Sequence, residues 1–225
     1  MSAPLDRPVW HALESRQRAF AAASGRACRY LADVAPFAAA ADDSPDALAD
    51  LAALIPEDGR ILLLQAGPAP VPPGTAAEME AEGVQMVAGR LAGNEAGTDI
   101  VELGAADAAE MVELASLTKP GPFLMRTHEL GSFVGIRAAG QLVAMAGERM
   151  KLPGLTEVSG VCTHPEFRGR GYARRLSLAA AARIAARGET PFLHAFAGNR
   201  AAIRLYEQLG FVHRSPMRVL MLRRA

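Results

Sequence analysis

Apolar positions are unevenly spaced over the first 98 residues. Trp10, Leu13 and Phe20 recur at roughly helical spacing and predict an amphipathic packing helix from about Val9 to Ala23. The Ala/Asp-rich stretch from Ala38 to Leu54 reads as a loop followed by a short helix, because Ser44-Pro45-Asp46 is a helix-start signal. Ile61-Leu62-Leu63-Leu64 predicts a buried strand, and Val84 to Val87 a second one. Between them Gly67 to Gly74, with four prolines, is a turn-rich connector. The small, polar, glycine-rich run from Leu91 to Thr98 marks a domain boundary, giving an N-terminal α/β domain over 1–98 and a second domain over 99–225.

Beyond that boundary the pattern is denser. It predicts a strand at Ile100 to Leu103, a helix at Ala106 to Thr118 and a turn at Lys119-Pro120-Gly121-Pro122. Phe133 to Ala138 and Leu142 to Met150 read as two strands, and the connector Ala139-Gly140-Gln141 has a length suited to a β-hairpin. A third strand, Leu155 to Thr163, runs through His164-Pro165 into a glycine-arginine loop, and Tyr172 to Ala186 follows as a helix. Phe192 to Ala197 is a strand, and Arg200 to Leu209 a helix closed by Gly210. Phe211 to Arg214 and Arg218 to Leu222 form a terminal strand pair.

Composition narrows the class. With 225 residues, 50% hydrophobic and 21% charged, the chain can bury a substantial core. No apolar run approaches the roughly 20 residues that cross a bilayer, and the start Met-Ser-Ala-Pro-Leu-Asp lacks a signal peptide's basic and apolar segments, so a cytoplasmic protein without membrane contact is expected. Cys28 and Cys162 have no zinc-like spacing, so no metal and reduced thiols are expected. Formal net charge is zero, yet residues 1–98 hold 7 basic and 13 acidic side chains and the remainder 17 and 11. A basic half suits nucleic acid or a phosphorylated cofactor; the arginine placement favours the cofactor, and 5% aromatics makes a poor base-stacking surface.

The chemistry concentrates at Arg168-Gly169-Arg170-Gly171-Tyr172-Ala173. This loop sits between a predicted strand and a predicted helix, where unpaired amides and the helix dipole favour a phosphate. A dinucleotide fingerprint fails because Arg174 stands where the last glycine is required, and a P-loop fails for want of Gly-Lys-Ser/Thr. Alone, the loop is equally an ordinary turn with solvated arginines.

The wider order resembles the GNAT superfamily of acyl-CoA N-acyltransferases over about residues 99 to 222. Its Arg/Gln-x-x-Gly-x-Gly/Ala signature is matched by Arg168, Gly171 and Ala173, led in by Val158-Ser159-Gly160-Val161-Cys162-Thr163. Asn199, Ala202, Leu205, Tyr206 and Gly210-Phe211 match its second motif. The resemblance implies a mixed α+β fold, with a mostly antiparallel sheet splayed near the cofactor and flanked by helices. It also implies an N-acetyltransferase that moves an acetyl group from acetyl-CoA to a primary amine of a small molecule or protein, by direct attack in a ternary complex. Val161, Cys162 and Thr163 would then line the pantetheine arm, with backbone groups of Val161 and Thr163 pairing with it as an added strand would. Arg168 to Ala173 would wrap the pyrophosphate, and Asn199 would cap the next helix or reach the arm. Tyr206 would protonate the departing thiolate.

The base is a choice between two carboxylates. Glu157, on the strand leading to Val161, matches a position where some family members keep a glutamate, and Glu148 on the preceding strand competes with it. Cys162 reads as a buried thiol, His164 as a loop residue and His194 as a strand residue; Arg174, Arg175, Arg183 and Arg187 read as a solvated helix face. The N-terminal half holds no chemical motif and faintly resembles the leading segment of two-part members of the superfamily. Covering the acceptor site, supporting a homodimer and being a decayed duplicate are roles open to it. The rival to an enzyme is a non-catalytic acyl-CoA-binding sensor, because the loop specifies binding whereas catalysis rests on Tyr206 and Glu157. The acceptor is not written in the sequence.

Overall fold

A computed structural model describes residues 3–93 and 99–225. In chain order the elements are α1 (Pro8–Leu13), β1 (Ala21–Ser24), β2 (Ala27–Tyr30), β3 (Phe37–Ala40), α2 (Pro45–Ala53), β4 (Ile61–Ala66) and β5 (Thr75–Ala88). There follow β6 (Ile100–Leu103), α3 (Ala108–Thr118), β7 (Phe133–Ala138), β8 (Gln141–Leu152), β9 (Leu155–Thr163), α4 (Tyr172–Ala186), β10 (Thr190–Phe196), α5 (Arg200–Gln208) and β11 (Phe211–Arg224). All described strands join one sheet in the order β1-β2-β3-β4-β11-β5-β10-β9-β8-β7-β6. Only β3–β4 and β9–β10 run parallel.

β11 from the C-terminal half lies between β4 and β5 of the first half, so it stitches the two halves together. The boundary expected at 91–98 falls mostly on residues 94–98, outside the described residues. β4 shows why an unbroken apolar run makes a strand here. Ile61 and Leu63 point to α2 with Ala47, Leu51 and Ile55, whereas Leu62 and Leu64 point to the α1 side with Val9, Leu13, Phe37 and Val219. A strand covered on both faces needs no polar alternation.

Four sequence expectations are corrected. The helix expected from Val9 to Ala23 stops at Leu13, and Ala21–Ser24 is the edge strand β1, turned back by Gly25 at φ +48°. Ala38 to Ala40 belongs to β3 rather than to a loop; like Ala27 in β2 it is alanine-rich, and pairing with neighbouring strands overrides alanine's helical propensity. The expected terminal strand pair is one strand, β11, with a register shift between His213 and Ser215, and β5 begins nine residues before Val84, where Glu78, Glu80 and Glu82 dilute its apolar signal.

Candidate functional site

β9 and β10 pair only from Leu155 to Glu157 against Thr190 to Phe192. Past that point they part, and β10 continues against β5 instead. The divergence has a local cause. Met145 and Gly147 of β8 face Cys162 and Ser159 of β9, so β9 holds one extra residue, and Gly160 takes φ +65° there. Such a bulge bends its strand and suits glycine, whose missing Cβ removes the penalty for a positive φ. The His164 amide bonds to the Val143 carbonyl at 2.8 Å, toward β8. Because strand amides alternate sides, those of Cys162 also face β8, and those of Val161 and Thr163 face the gap.

The loop after β9 closes one end of the gap. Gly169 and Gly171 have φ +77° and +76°, and a Cβ on either would meet open space, so backbone conformation rather than crowding requires glycine. Gly171 is the N-cap of α4, and the Gly169 to Ala173 amides find no acceptor among the described residues. These donors converge at a helix N-terminus, an arrangement that attracts anions. Arg168 is exposed, and the Arg170 guanidinium lies 4.8 Å from the Phe167 ring centre. The helix arginines pair away from the loop, Arg183 with Glu102 and Arg187 with Glu148 and Glu189, while Arg175 pairs with Asp99.

A cavity of about 430 Å³ runs along this loop, bounded by Val161 to Thr163 on one side and by Asn199, Leu205 and Tyr206 of the α5 region on the other. Asn199 caps α5, its Oδ1 accepting from the Ala202 amide at 3.1 Å. Thr163 Oγ1 is fully enclosed and has no hydrogen-bond partner among the described residues. Burial pushes the Cys162 thiol up to about 11, so it is an inert wall group.

A second cavity of about 160 Å³ opens off the first, and Lys119, Val161, Asn199, Ala202 and Tyr206 border both. Its walls include Phe37, Leu62 and Leu64 of the first half and Val219 of β11. Tyr206 thus stands at the junction. It is buried, packs edge-on against Phe211 at 6.1 Å, and forms no side-chain hydrogen bond among the described residues. Burial is the main cause that pushes its phenol up to about 12, so the hydroxyl holds its proton at neutral pH.

Neither proposed carboxylate reaches the cavities. Glu157 is fully buried behind them, taking two bonds from Arg149 (2.6 and 2.9 Å) and one from His194 Nδ1 at 2.7 Å. Burial alone would push its carboxyl up, but Arg149 and then His194 outweigh that and hold it at about 2. Glu148 is equally buried and pairs with Arg187 and Lys151. His194 does line the second cavity. Gln85 bonds to the Leu5 carbonyl and to Arg214, which fixes its amide with Nε2 donating toward His194 Nε2 at 2.9 Å. The network therefore assigns the neutral ring proton to Nδ1, donated to Glu157. Sequence reasoning missed His194, Arg149, Gln85 and Lys119 as site residues; they lie on separate strands and turns with no shared spacing.

The solved structure of a protein from Novosphingobium aromaticivorans, described as an acetyltransferase of the GNAT family, is 46% identical to this chain. The match covers 100% of both chains with a TM-score of 0.93. This chain belongs to the GNAT family. The family model for FR47-like protein matches residues 133–219, which include the splayed strands, the loop and α5. A GCN5-related N-acetyltransferase from Kribbella flavida shares the fold at 20% identity, with a TM-score of 0.67 over 99% of this chain and 96% of that one. No curated protein matches the chain. Membership in GNAT, with its acetyltransferase relatives, makes the chain a transferase by family, and its mixed, mostly antiparallel sheet flanked by helices is the GNAT fold. Among the described residues no helix is long and apolar enough to cross a membrane, and no group of side chains could hold a metal.

Proposed function

We propose that the chain is an N-acetyltransferase that moves an acetyl group from acetyl-CoA to a primary amine. The observation that supports this best is Tyr206 at the junction of the two cavities, with a protonated hydroxyl that has no hydrogen-bond partner among the described residues. The larger cavity suits a CoA ester in shape and chemistry. Pyrophosphate oxygens meet the Gly169 to Ala173 amides and the Arg168 and Arg170 charges, while the pantetheine amides pair with the gap-facing backbone of Val161 and Thr163. Cys162 and Tyr172 wall the arm, and Asn199 keeps its amide nitrogen available to it while its oxygen caps α5. The thioester then lies near Tyr206, and the acceptor enters through the second cavity.

In the transfer step the neutral amine nitrogen forms a bond to the thioester carbonyl carbon, and the C–S bond breaks. The thiolate takes a proton from Tyr206, which is refilled from solvent. The acceptor, starting as an ammonium, loses two protons over the reaction, so one proton per turnover is released. Glu157 lies behind His194, so we assign proton removal to His194, with Glu157 as the group that orients the ring and stabilises its charged form. The acceptor nitrogen must displace the Gln85 contact to reach His194 Nε2.

Acetyl-CoA with a panel of amines, read as thiol release and acetylated product in equal amounts, tests the transferase. His194→Asn should slow it most at lower pH, where the amine is most protonated, without weakening CoA binding. Thiol release without acetylated amine would overturn the reading.

A further inference from the structure

Cationic acceptors need carboxylates in their pocket, and this pocket has none. No acidic side chain lines either cavity among the described residues, whereas Lys119, Arg149 and His194 reach the smaller one. Its remaining wall is largely apolar, built from Phe37, Leu62, Leu64 and Val219, with Gly83 beside them. A spermidine-like or aminoglycoside-like acceptor would bring several ammonium groups against two cations with no counter-charge.

The two cations are held differently. Arg149 spends Nε and Nη2 on Glu157 and sits over Phe37, with its carbon Cζ 4.6 Å from the ring centre. Its Nη1 has no hydrogen-bond partner among the described residues. Those donors are held rigidly by the carboxylate on one edge and the ring below, although Glu157 compensates much of the charge. Lys119 supplies the uncompensated charge. It ends α3 in a left-handed conformation (φ 51°, ψ 54°) that favours glycine, just before Pro120; the residue is exposed, borders both cavities and has no ion pair among the described residues.

From this arrangement, and resting on the acetyl-transfer reading above, we infer that the acceptor is a small amine carrying a carboxylate on a compact apolar body. An α-amino acid with an aliphatic or aromatic side chain is its simplest form. One carboxylate oxygen meets Arg149 Nη1, the other faces Lys119, the side chain packs on Phe37, Leu62 and Leu64, and the amine turns toward the thioester. The same cations favour the neutral amine over the ammonium, which is the form that attacks.

The test compares phenylalanine, phenethylamine and spermidine as acceptors, and binds 3-phenylpropionate to the CoA-saturated protein by calorimetry. Phenylalanine should exceed phenethylamine at least about 10-fold in kcat/KM, the scale of one charge-assisted contact, and spermidine should be the poorest. Lys119→Gly relieves the backbone and should fold; in it the phenylalanine-to-phenethylamine ratio should fall several-fold, together with 3-phenylpropionate affinity. Equal or reversed preference, or a ratio unmoved in Lys119→Gly, overturns the inference. If no amine supports thiol release, the transferase reading fails, and 3-phenylpropionate binding still decides the pocket: binding weakened in Lys119→Gly upholds a carboxylate site, and no binding refutes it.

Discussion

The two cavities that meet at Tyr206 are built in opposite ways. Every residue lining the larger one lies between Thr118 and Tyr206, and its decisive parts are consecutive: a bulge at Gly160, a strand end, a glycine-arginine loop and a helix start. The smaller one draws on residues from Phe37 to Val219, on strands that become neighbours only because β11 inserts between β4 and β5. A ligand held by backbone amides needs a local chain conformation, which a short motif can encode. A ligand held by side chains on an apolar wall needs a tertiary arrangement, which no motif encodes. The larger cavity is accordingly the one whose parts a motif announces in the sequence.

The sharpest break between the two is Tyr206, which belongs to both. Tyr206→Phe keeps the ring against Phe211 and removes only the proton donor. We expect kcat to fall by about 10²- to 10⁴-fold with little change in KM, checked per folded, CoA-competent molecule. Equal kcat would leave the junction without an acid.

Glu157→Gln probes the wall behind the smaller cavity. It leaves Arg149 buried without its counter-charge, and unfolding free energy should drop by about 3–5 kcal/mol in a denaturant titration. CoA affinity per folded molecule should hold. Replacing both partners, Arg149→Met with Glu157→Gln, should recover much of the stability while losing acceptor binding.

Gly171→Glu probes the larger cavity alone. It adds backbone strain at φ +76° and an anion where phosphate is expected, so CoA affinity should fall by about 100-fold or more. The variant should remain folded, because a side chain there meets open space.

Acid gives the gentlest separation. The folded-state carboxyl of Glu157 is held at about 2, below its ordinary 4.5, so the native state binds fewer protons there than the unfolded chain does. The stability from this group is fully present above about pH 4.5 and is lost as pH falls toward 2, an effect on the order of 3 kcal/mol. The parent should show this loss and Glu157→Gln should not.

Legibility in the sequence followed the same division. β6 to β10 and the helices between them were readable nearly to the residue, because caps, glycines and periodicity agree there: Tyr172–Ala186 is predicted and observed with the same ends. β1, β2 and β3 were not, since Ala21 to Ser24 and Ala38 to Ala40 have helix-forming side chains and become strands only through their partners. The loop from Arg168 to Ala173, Asn199 and Tyr206 were named from their motifs, and the structure gathers them around one cavity. Glu157, which the resemblance places in the chemistry, lies behind the cavity instead. The contact that matters, with His194, spans 37 positions and leaves no periodic trace. Lys119 looked like part of a turn, and only its left-handed backbone and its place between the cavities single it out.

Hydrogen exchange with and without CoA tests most directly whether the gap between β9 and β10 is the cofactor site. CoA should protect the amides of Val161 and Thr163 and those from Gly169 to Ala173, which face the gap or lack acceptors among the described residues. Cys162, already paired with β8, and Thr75 to Glu82 on the far part of β5 should change little. Protection confined to β5 and β11, or no change at the loop under saturating CoA, would contradict it.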